Sequence, residues 1–155
     1  MRTILAFSDS HSALLPQKLI SVANESDYVF FLGDGVGALG DLLFLKNLYA
    51  VDGNCDTPCF GSEKIIEIDG VRILLTHGHK HSVKRDLLPL ALYAKEKDCQ
   101  AVFYGHTHTA RIDEYQDVTL ICPGSPSFPQ YSEASYAYAV AHNGKLTVKI
   151  VNINN

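Results

Sequence analysis

The chain has 155 residues, of which 46% are hydrophobic and 19% charged, so it has the composition of an ordinary globular protein and enough length to bury a core. Seventeen acidic and thirteen basic residues give a formal net charge of -4, which argues against a general binder of nucleic acids or membrane surfaces. A phosphate substrate is still compatible with this charge, because a local site can oppose the global balance. We expect residues 1–155 to form a single domain.

Neither a targeting segment nor a membrane span is predicted. The first residues, MRTILAFSD, contain too short an apolar run for a signal peptide, and no segment approaches the ~18 apolar residues of a membrane helix. The four cysteines contain no pair of C-x-x-C motifs, so we expect reduced thiols and a cytoplasmic location. Cys55 and Cys59 alone are a weak signal for a zinc site.

In chain order, the first third alternates between predicted strands and helices. RTILAFSD (2–9), YVFFLGD (28–34) and LYAVDGN (48–54) are short apolar runs that end in polar turn residues, which is the pattern of buried strands. Residues 16–26 and 39–48 predict helices between them, the first with a proline at its start. This alternation indicates parallel strands joined by right-handed crossovers and covered by helices.

Two hairpins are predicted further along the chain. Asp69-Gly70 and Asn143-Gly144 each separate two strand-like runs and are typical two-residue hairpin turns. A parallel first half followed by an antiparallel second half suits an α/β fold with two sheets face to face and helices outside. The remaining predicted elements are strands EKIIEID (63–69), VRILLTH (71–77), QAVFYG (100–105), ARIDEYQ (110–116), VTLIC (118–122), SYAYAVAH (135–142) and KLTVKIVNI (145–153), and a helix at 82–98.

Polar side chains follow five of the predicted strands. Side chains two residues apart on an extended chain point to the same face, so His106 and His108 in AVFYGHTHTA (101–110) project together. Asp9 and His11 show the same spacing after the first strand. Ligands of α/β sheets bind beyond the carboxyl ends of the strands, so these polar residues should meet at one edge. The full set is Asp9, His11, Asp34, Asn54, His77, His106 and His108.

This clustering predicts a metal site, because imidazole is the commonest metal ligand among side chains and solvated surface histidines would not gather at strand ends. Seven ligands are too many for one ion, but they suit two ions that share a bridging carboxylate. Two divalent ions, less the charges of Asp9, Asp34 and a hydroxide, leave a net charge of about +1 that attracts phosphate. Mixed histidine and carboxylate ligation suits manganese, the expected ion, and also nickel, iron or zinc.

The order of the motifs resembles that of the calcineurin-like metallophosphoesterases. The motifs are D-S-H (9–11), G-D (33–34), G-N-C-D (53–56), H-G-H (77–79) and G-H-T-H (105–108). C-P-G-S-P (122–126) resembles a further element of the small single-domain phosphodiesterase subgroup, which shares its fold with a retromer subunit. The resemblance therefore covers nearly the whole chain.

This resemblance implies a four-layer α/β/β/α sandwich, with two mixed sheets flanked by helices. It also implies a metal-dependent phosphohydrolase that uses two divalent ions and a bridging water or hydroxide to attack phosphorus, with a small phosphodiester as substrate. By resemblance, the first ion is held by Asp9, His11, Asp34 and His108, and the second by Asp34 as the bridge together with Asn54, His77 and His106.

One residue departs from the wider family. Many members have a histidine where this chain has Cys55, and that histidine is thought to protonate the leaving oxygen. A thiol is not an equivalent acid, so hydrolysis of monoesters with poor leaving groups is disfavoured. Asn54, Asp56 and His79 are the predicted catalytic residues. We expect Asp56 to orient a neighbour and His79 to contact substrate or support a ligand.

Three alternatives follow from the sequence. A non-catalytic interaction scaffold on the same fold would not need to keep its ligands, whereas this chain has all seven. A phosphomonoesterase is disfavoured by Cys55. A dinucleotide site at G-x-G-x-x-G (35–40), with Asp52 on the ribose, leaves the histidines unexplained. We expect no stable binding of nucleic acids and no membrane association.

Overall fold

Among the residues that the computed structural model describes, 1–154, ten strands form two five-stranded sheets. The strands are β1 (Arg2–Phe7), β2 (Tyr28–Phe31), β3 (Leu48–Ala50), β4 (Glu63–Ile68), β5 (Val71–Thr76), β6 (Ala101–Phe103), β7 (Arg111–Tyr115), β8 (Val118–Cys122), β9 (Ser135–His142) and β10 (Lys145–Asn152). The strand order is β10-β9-β1-β2-β3 in the first sheet and β4-β5-β6-β8-β7 in the second.

The two sheets pack face to face, and one helix covers the outer face of each. Strand alternation decides which side chains enter which layer. Ile4 and Ala6 of β1 point into the core between the sheets, where they meet Phe103 from the opposite sheet. Leu5 and Phe7 point the other way.

The outer layers are helix α1 (Gln17–Glu25) on the first sheet and helix α2 (Leu88–Glu96) on the second. Leu19 of α1 packs in the cluster that contains Leu5 and Phe7, and Leu90 of α2 packs with Leu74 and Val102. The predicted α/β/β/α sandwich of two mixed sheets is therefore confirmed. Within residues 1–154, neither helix is long and apolar enough to span a membrane.

The predicted division into a parallel first half and an antiparallel second half is wrong in part. Both Gly-containing hairpins form as expected, pairing β4 with β5 and β9 with β10. However, β5, β6 and β8 are parallel to one another in the second sheet. Leu120 and Ile121 of β8 enter different cores and are both buried, as in a parallel strand that is covered on both faces.

Two predicted helices are shorter in the structure. The segment predicted at 39–48 contains only a 3-10 helix at Gly40–Phe44, and Leu48 already belongs to β3. Leu43 and Phe44 are 42% and 83% exposed, so this segment lacks the apolar face that would hold an α-helix on the sheet. The helix predicted at 82–98 begins only at Leu88, because Pro89 is accommodated in the first turn of a helix and not in its interior.

Candidate metal centre

The loops that follow β1, β2, β3, β5 and β6 bring all seven predicted ligands to one edge of the molecule. Their ligand atoms form two groups within which every pair lies within 4.8 Å. We name them the Asp9 cluster (Asp9, His11 and His108) and the His77 cluster (Asp34, His77 and His106). Asn54 joins the second, because its Oδ1 lies 3.0 Å from His77 Nε2.

Five of these ligands have a backbone conformation that is unusual for residues with a side chain. Left-handed φ angles outside glycine are sparsely populated, and such strain concentrates at functional sites. These left-handed residues let the backbone turn sharply where it leaves each strand. The side chain of each residue then projects back over the edge of the sheet. The φ angles are 59° for Asp9, 48° for His11, 61° for Asp34, 72° for His106 and 59° for His108.

Facing atoms within the clusters are close enough to share an ion. His11 Nε2 lies 3.2 Å from His108 Nε2, and His108 Nε2 lies 3.5 Å from Asp9 Oδ1. In the second cluster, His77 Nε2 lies 3.3 Å from Asp34 Oδ2. The two clusters are adjacent, since His77 Nε2 is also 3.8 Å from Asp9 Oδ1.

The chemistry of the donors fits a divalent cation. Asp9 is fully buried, and among the described residues its Oδ1 is a buried atom without a hydrogen-bond partner. A buried carboxylate oxygen is costly unless it is paired or coordinates a metal. Because two imidazole nitrogens lie within 3.8 Å of this oxygen, a cation bound among them would satisfy all three atoms.

Two imidazole rings are oriented by main-chain carbonyls. His77 Nδ1 donates to the carbonyl of Leu32 at 2.6 Å, and His108 Nδ1 donates to the carbonyl of Phe128 at 2.7 Å. A carbonyl oxygen only accepts, so the proton sits on Nδ1 and leaves Nε2 as the metal-binding nitrogen. Such partners fix both the tautomer and the ring orientation of metal-binding histidines.

Each carboxylate is likewise anchored through one oxygen. Asp9 Oδ2 accepts from the amide of His106 at 2.9 Å, and Asp34 Oδ1 accepts from the amide of Cys55 at 2.8 Å. The other oxygen of each faces His77. Glycine is required where the chain passes close to these oxygens, because a Cβ on Gly53 would collide with Asp34 Oδ1 and one on Gly105 would lie 2.8 Å from Asp9 Oδ2.

Burial and neighbouring charges shift the pKa values of three of the predicted ligands. Burial raises the pKa of Asp9, and this effect exceeds the opposing influence of His77 and His108. Burial disfavours the charged form of His77, but its hydrogen bond to Asp34 and the charge of Asp9 outweigh this and raise its pKa. Burial and then the neighbouring His77 lower the pKa of His106 to about 4, so His106 is a neutral ligand.

Asp56 lies outside the clusters and acts on the loops that carry them. Its carboxylate accepts four backbone hydrogen bonds, from the amides of Asp34, Gly35, Val36 and Gly53. It therefore joins the loop after β2 to the loop after β3. Because the glycine-rich turn at 35–40 already gives two of its amides to Asp56, the dinucleotide alternative has no support here.

Asp52 serves its own loop in a similar way. Its carboxylate accepts from the amides of Cys59, Phe60 and Gly61, so it is not a free ribose ligand. The four cysteines are free in the structure. The cytoplasmic location expected from these cysteines remains a prediction.

His79 and Cys55 lie at the border of the site. The His79 ring centroid is 5.4 Å from that of His77 and 6.0 Å from that of His106, and its Nδ1 is buried without a partner. Cys55 forms a further close group with His11 and Asp34, which the sequence did not indicate. Burial and then the charge of Asp34 raise the pKa of the Cys55 thiol.

An open cleft of about 490 Å³ adjoins the clusters and leaves room for a substrate. It is lined by His11, Ser12, Gly35, Gly37, Ala38, Cys55 and Asp56. Two further contributors, the hydroxyl of Ser125 and the main-chain carbonyl of Phe128, were not among the predicted site residues. A main-chain carbonyl leaves no signal in residue type, although the motif that contains Ser125 is visible in the sequence.

Comparison with known proteins identifies relatives of the chain. The family model described as the calcineurin-like phosphoesterase superfamily domain matches residues 1–144. YsnB of Bacillus subtilis, a probable metallophosphoesterase, is 30% identical over 94% of this chain and 88% of its own length. The probable metallophosphoesterase MJ0623 of Methanocaldococcus jannaschii is 33% identical over 75% of this chain, which spans only 62% of that protein. The phosphodiesterase MJ0936 of the same organism is 39% identical over 38% of this chain and 32% of its own length.

Solved structures show the same fold. A predicted phosphoesterase from Streptococcus pneumoniae superimposes with a TM-score of 0.83 at 25% identity, covering 97% of this chain and 89% of that one. Vps29 of Entamoeba histolytica in complex with Zn²⁺ superimposes with a TM-score of 0.77 at 21% identity, covering 96% of this chain and 98% of that one. The expected likeness in fold to small phosphoesterases and to the retromer subunit Vps29 is therefore confirmed.

Proposed function

The chain belongs to the calcineurin-like phosphoesterase superfamily, and from this membership we propose that it is a metal-dependent phosphodiesterase that hydrolyses small phosphodiesters with two divalent ions, preferably manganese. The observation that carries the proposal is the meeting of all seven predicted ligands in two adjacent clusters. As the resemblance implies, Asp9, His11, Asp34 and His108 would hold one ion, and Asp34 would also contribute to the other. Asn54, His77 and His106 complete the second site.

The chemistry that two divalent ions supply when bound is positive charge for phosphate oxygens and activation of water near neutral pH. The protein contributes a fixed arrangement around that charge. Leu32 and Phe128 keep the Nδ1 protons of His77 and His108 in place, so neither ring can turn its donor toward a phosphate. Substrate would enter by the open cleft, beside His11.

The preference for diesters rests on the thiol at this cleft. Cys55 occupies the place where a histidine proton donor is expected, and its Sγ groups with His11 and Asp34. A thiol is a weak hydrogen-bond donor, so expulsion of an alkoxide from a monoester would proceed with little help. A diester carries less negative charge than a monoester, so it repels an attacking hydroxide less. The similarity to the phosphodiesterase MJ0936 supports the same preference.

A scaffold role on this fold is the second candidate, favoured by the likeness to Vps29. That likeness, at 21% identity, concerns the fold alone. A scaffold has no use for strained ligand backbones or for imidazoles with fixed tautomers. We therefore retain the enzyme as the proposal.

The test is hydrolysis of bis(4-nitrophenyl) phosphate and of 4-nitrophenyl phosphate by the chain loaded with Mn²⁺. We expect a higher kcat/KM for the diester, and loss of activity in His77→Ala. His142→Ala is the matched control, because His142 is exposed, lies outside both clusters and should not affect the rate. A chain that binds Mn²⁺ but hydrolyses neither ester would favour the scaffold.

A further inference from the structure

Ser125 is a fully buried serine with a saturated hydroxyl. Its Oγ donates to the main-chain carbonyl of Asp9 at 2.8 Å. It accepts from the amides of Ser127 at 3.2 Å and Phe128 at 2.8 Å. A hydroxyl offers one donor and two acceptor positions, so none is left for a substrate. This hydroxyl ties residues 125–128 to the first ligand of the Asp9 cluster.

The same segment reaches the other two members of that cluster. We name residues 125–130 the support loop. Its Phe128 carbonyl accepts from His108 Nδ1 at 2.7 Å, and its Gln130 amide donates to the carbonyl of His108 at 2.9 Å. The Phe128 ring lies edge-on to His11, with 5.6 Å between centroids and 81° between planes. The support loop therefore contacts every residue of the Asp9 cluster.

The His77 cluster is supported from a different part of the chain. The imidazole of His77 is fixed by the carbonyl of Leu32, and the amide of Asp34 is held by Asp56. None of these groups belongs to the support loop. The two clusters therefore have different direct supports, but they are linked, because the amide of His106 donates to Asp9 Oδ2 and the amide of His11 donates to the carbonyl of Asp34 at 2.7 Å.

We propose that Ser125 is a positioning residue for the ion of the Asp9 cluster, acting through the support loop and affecting the other ion less. Without its hydroxyl, the Asp9 carbonyl and two loop amides lose their partner, and the Phe128 carbonyl is no longer fixed against His108. Loss of such a supporting contact typically lowers metal affinity by 10–100-fold. The inference rests on the proposed function in one respect, namely that the two clusters bind metal.

The test separates the two sites with ligand variants. His106→Ala leaves the Asp9 cluster complete, and His11→Ala leaves the His77 cluster complete. Titration with Mn²⁺ by calorimetry should give 10–100-fold weaker binding for Ser125→Ala in the first background. In the second background, the change should be clearly smaller, because the support loop contacts the His77 cluster only indirectly, through Asp9 and His11.

Ser135→Ala is the matched control. Ser135 is also fully buried, and its hydroxyl donates to a carbonyl, that of Pro123, at 2.7 Å. Its backbone amide, which alanine keeps, donates to the carbonyl of Ser125 at 3.1 Å, so the variant removes only the hydroxyl contact outside the support loop. We expect its removal to leave Mn²⁺ affinity within about twofold in both backgrounds. Ser125→Thr keeps the hydroxyl and should recover affinity that Ser125→Ala loses.

A measurement without any change at Ser125 covers the case in which Ser125→Ala fails to fold. Coupling is reciprocal, so filling the Asp9 cluster must stabilise the support loop. Mn²⁺ should slow hydrogen exchange at the amides of Ser127 and Phe128 in His106→Ala, and it should slow it less in His11→Ala. Equal slowing in both, or none in either, would overturn the inference.

The outcomes distinguish this inference from the proposed function. An unmodified chain that binds no Mn²⁺ refutes the proposed function and, with it, the inference. The positioning role alone is refuted if the unmodified chain binds two ions but Ser125→Ala weakens binding equally in both backgrounds. The same conclusion follows if Ser125→Ala weakens binding no more than Ser135→Ala does.

Discussion

Replacement of Asp56 by asparagine should destabilise the metal-free fold, because this carboxylate fastens two loops at once. Its Oδ2 accepts from the amides of Asp34 at 2.7 Å and Gly53 at 2.8 Å, and its Oδ1 accepts from those of Gly35 at 2.9 Å and Val36 at 3.1 Å. Asparagine keeps one acceptor oxygen. Two amides would then face its NH₂ group, which cannot accept their hydrogen bonds.

The size of the loss follows from these bonds. A hydrogen bond to a charged group contributes about 1.5–3 kcal/mol, so two of them contribute about 3–6 kcal/mol. Asp56 is only partly buried, and water can replace some of what is lost. We therefore expect the lower end, a decrease of about 3 kcal/mol in the free energy of unfolding. For a chain of this length this corresponds to a drop in Tm of about 6–12 °C.

Thermal unfolding followed by circular dichroism, with chelator in excess, measures this effect without any contribution from metal. Asp41→Asn is the control, because Asp41 is exposed in the 3-10 helix and its replacement removes the same charge. Surface changes of this kind usually stay within about 0.5 kcal/mol. If Asp56→Asn melts together with Asp41→Asn, the carboxylate does not hold the loops as described.

Three further predictions concern metal and substrate. Mn²⁺ at a hundred times its dissociation constant should stabilise the chain by about 2.7 kcal/mol, so a Tm that is indifferent to both chelator and Mn²⁺ would contradict metal binding. By elemental analysis after Mn²⁺ loading, Asp34→Asn should lose metal from both sites, whereas His11→Ala should lose it mainly from one; equal losses would argue against a bridging Asp34. Cys55→His should supply a proton donor, which typically raises the rate by about 10²–10⁴-fold, and should therefore increase kcat/KM for the monoester relative to the diester. An unmodified enzyme that already prefers the monoester would refute the role given to the thiol.

The sequence could reveal the ligands because their positions are fixed by topology. Buried strands are visible as apolar runs, and the polar residues directly after them, such as Asp34 and His77, must meet at the carboxyl edge. The hairpins at Asp69-Gly70 and Asn143-Gly144 follow from the same local signals. These features depend on short stretches of chain, so they can be recognised one at a time.

The features that the sequence could not reveal depend on distant contacts or on the main chain. Residues 39–48 have helical spacing, but the exposed Leu43 and Phe44 show that no surface was available to pack them. The carbonyl of Phe128 orients His108 through an atom that every residue possesses. Ser125 lies in the C-P-G-S-P motif, but its contact with Asp9, 116 residues away, exists only in the folded chain.

Anomalous diffraction at the manganese edge, from crystals of the unmodified chain grown with Mn²⁺, tests the two-metal site most directly. The account predicts two peaks per chain, one among Asp9, His11 and His108 and the other between His77 and His106, with Asp34 in contact with both. A single peak, or peaks that lie away from these side chains, would contradict it.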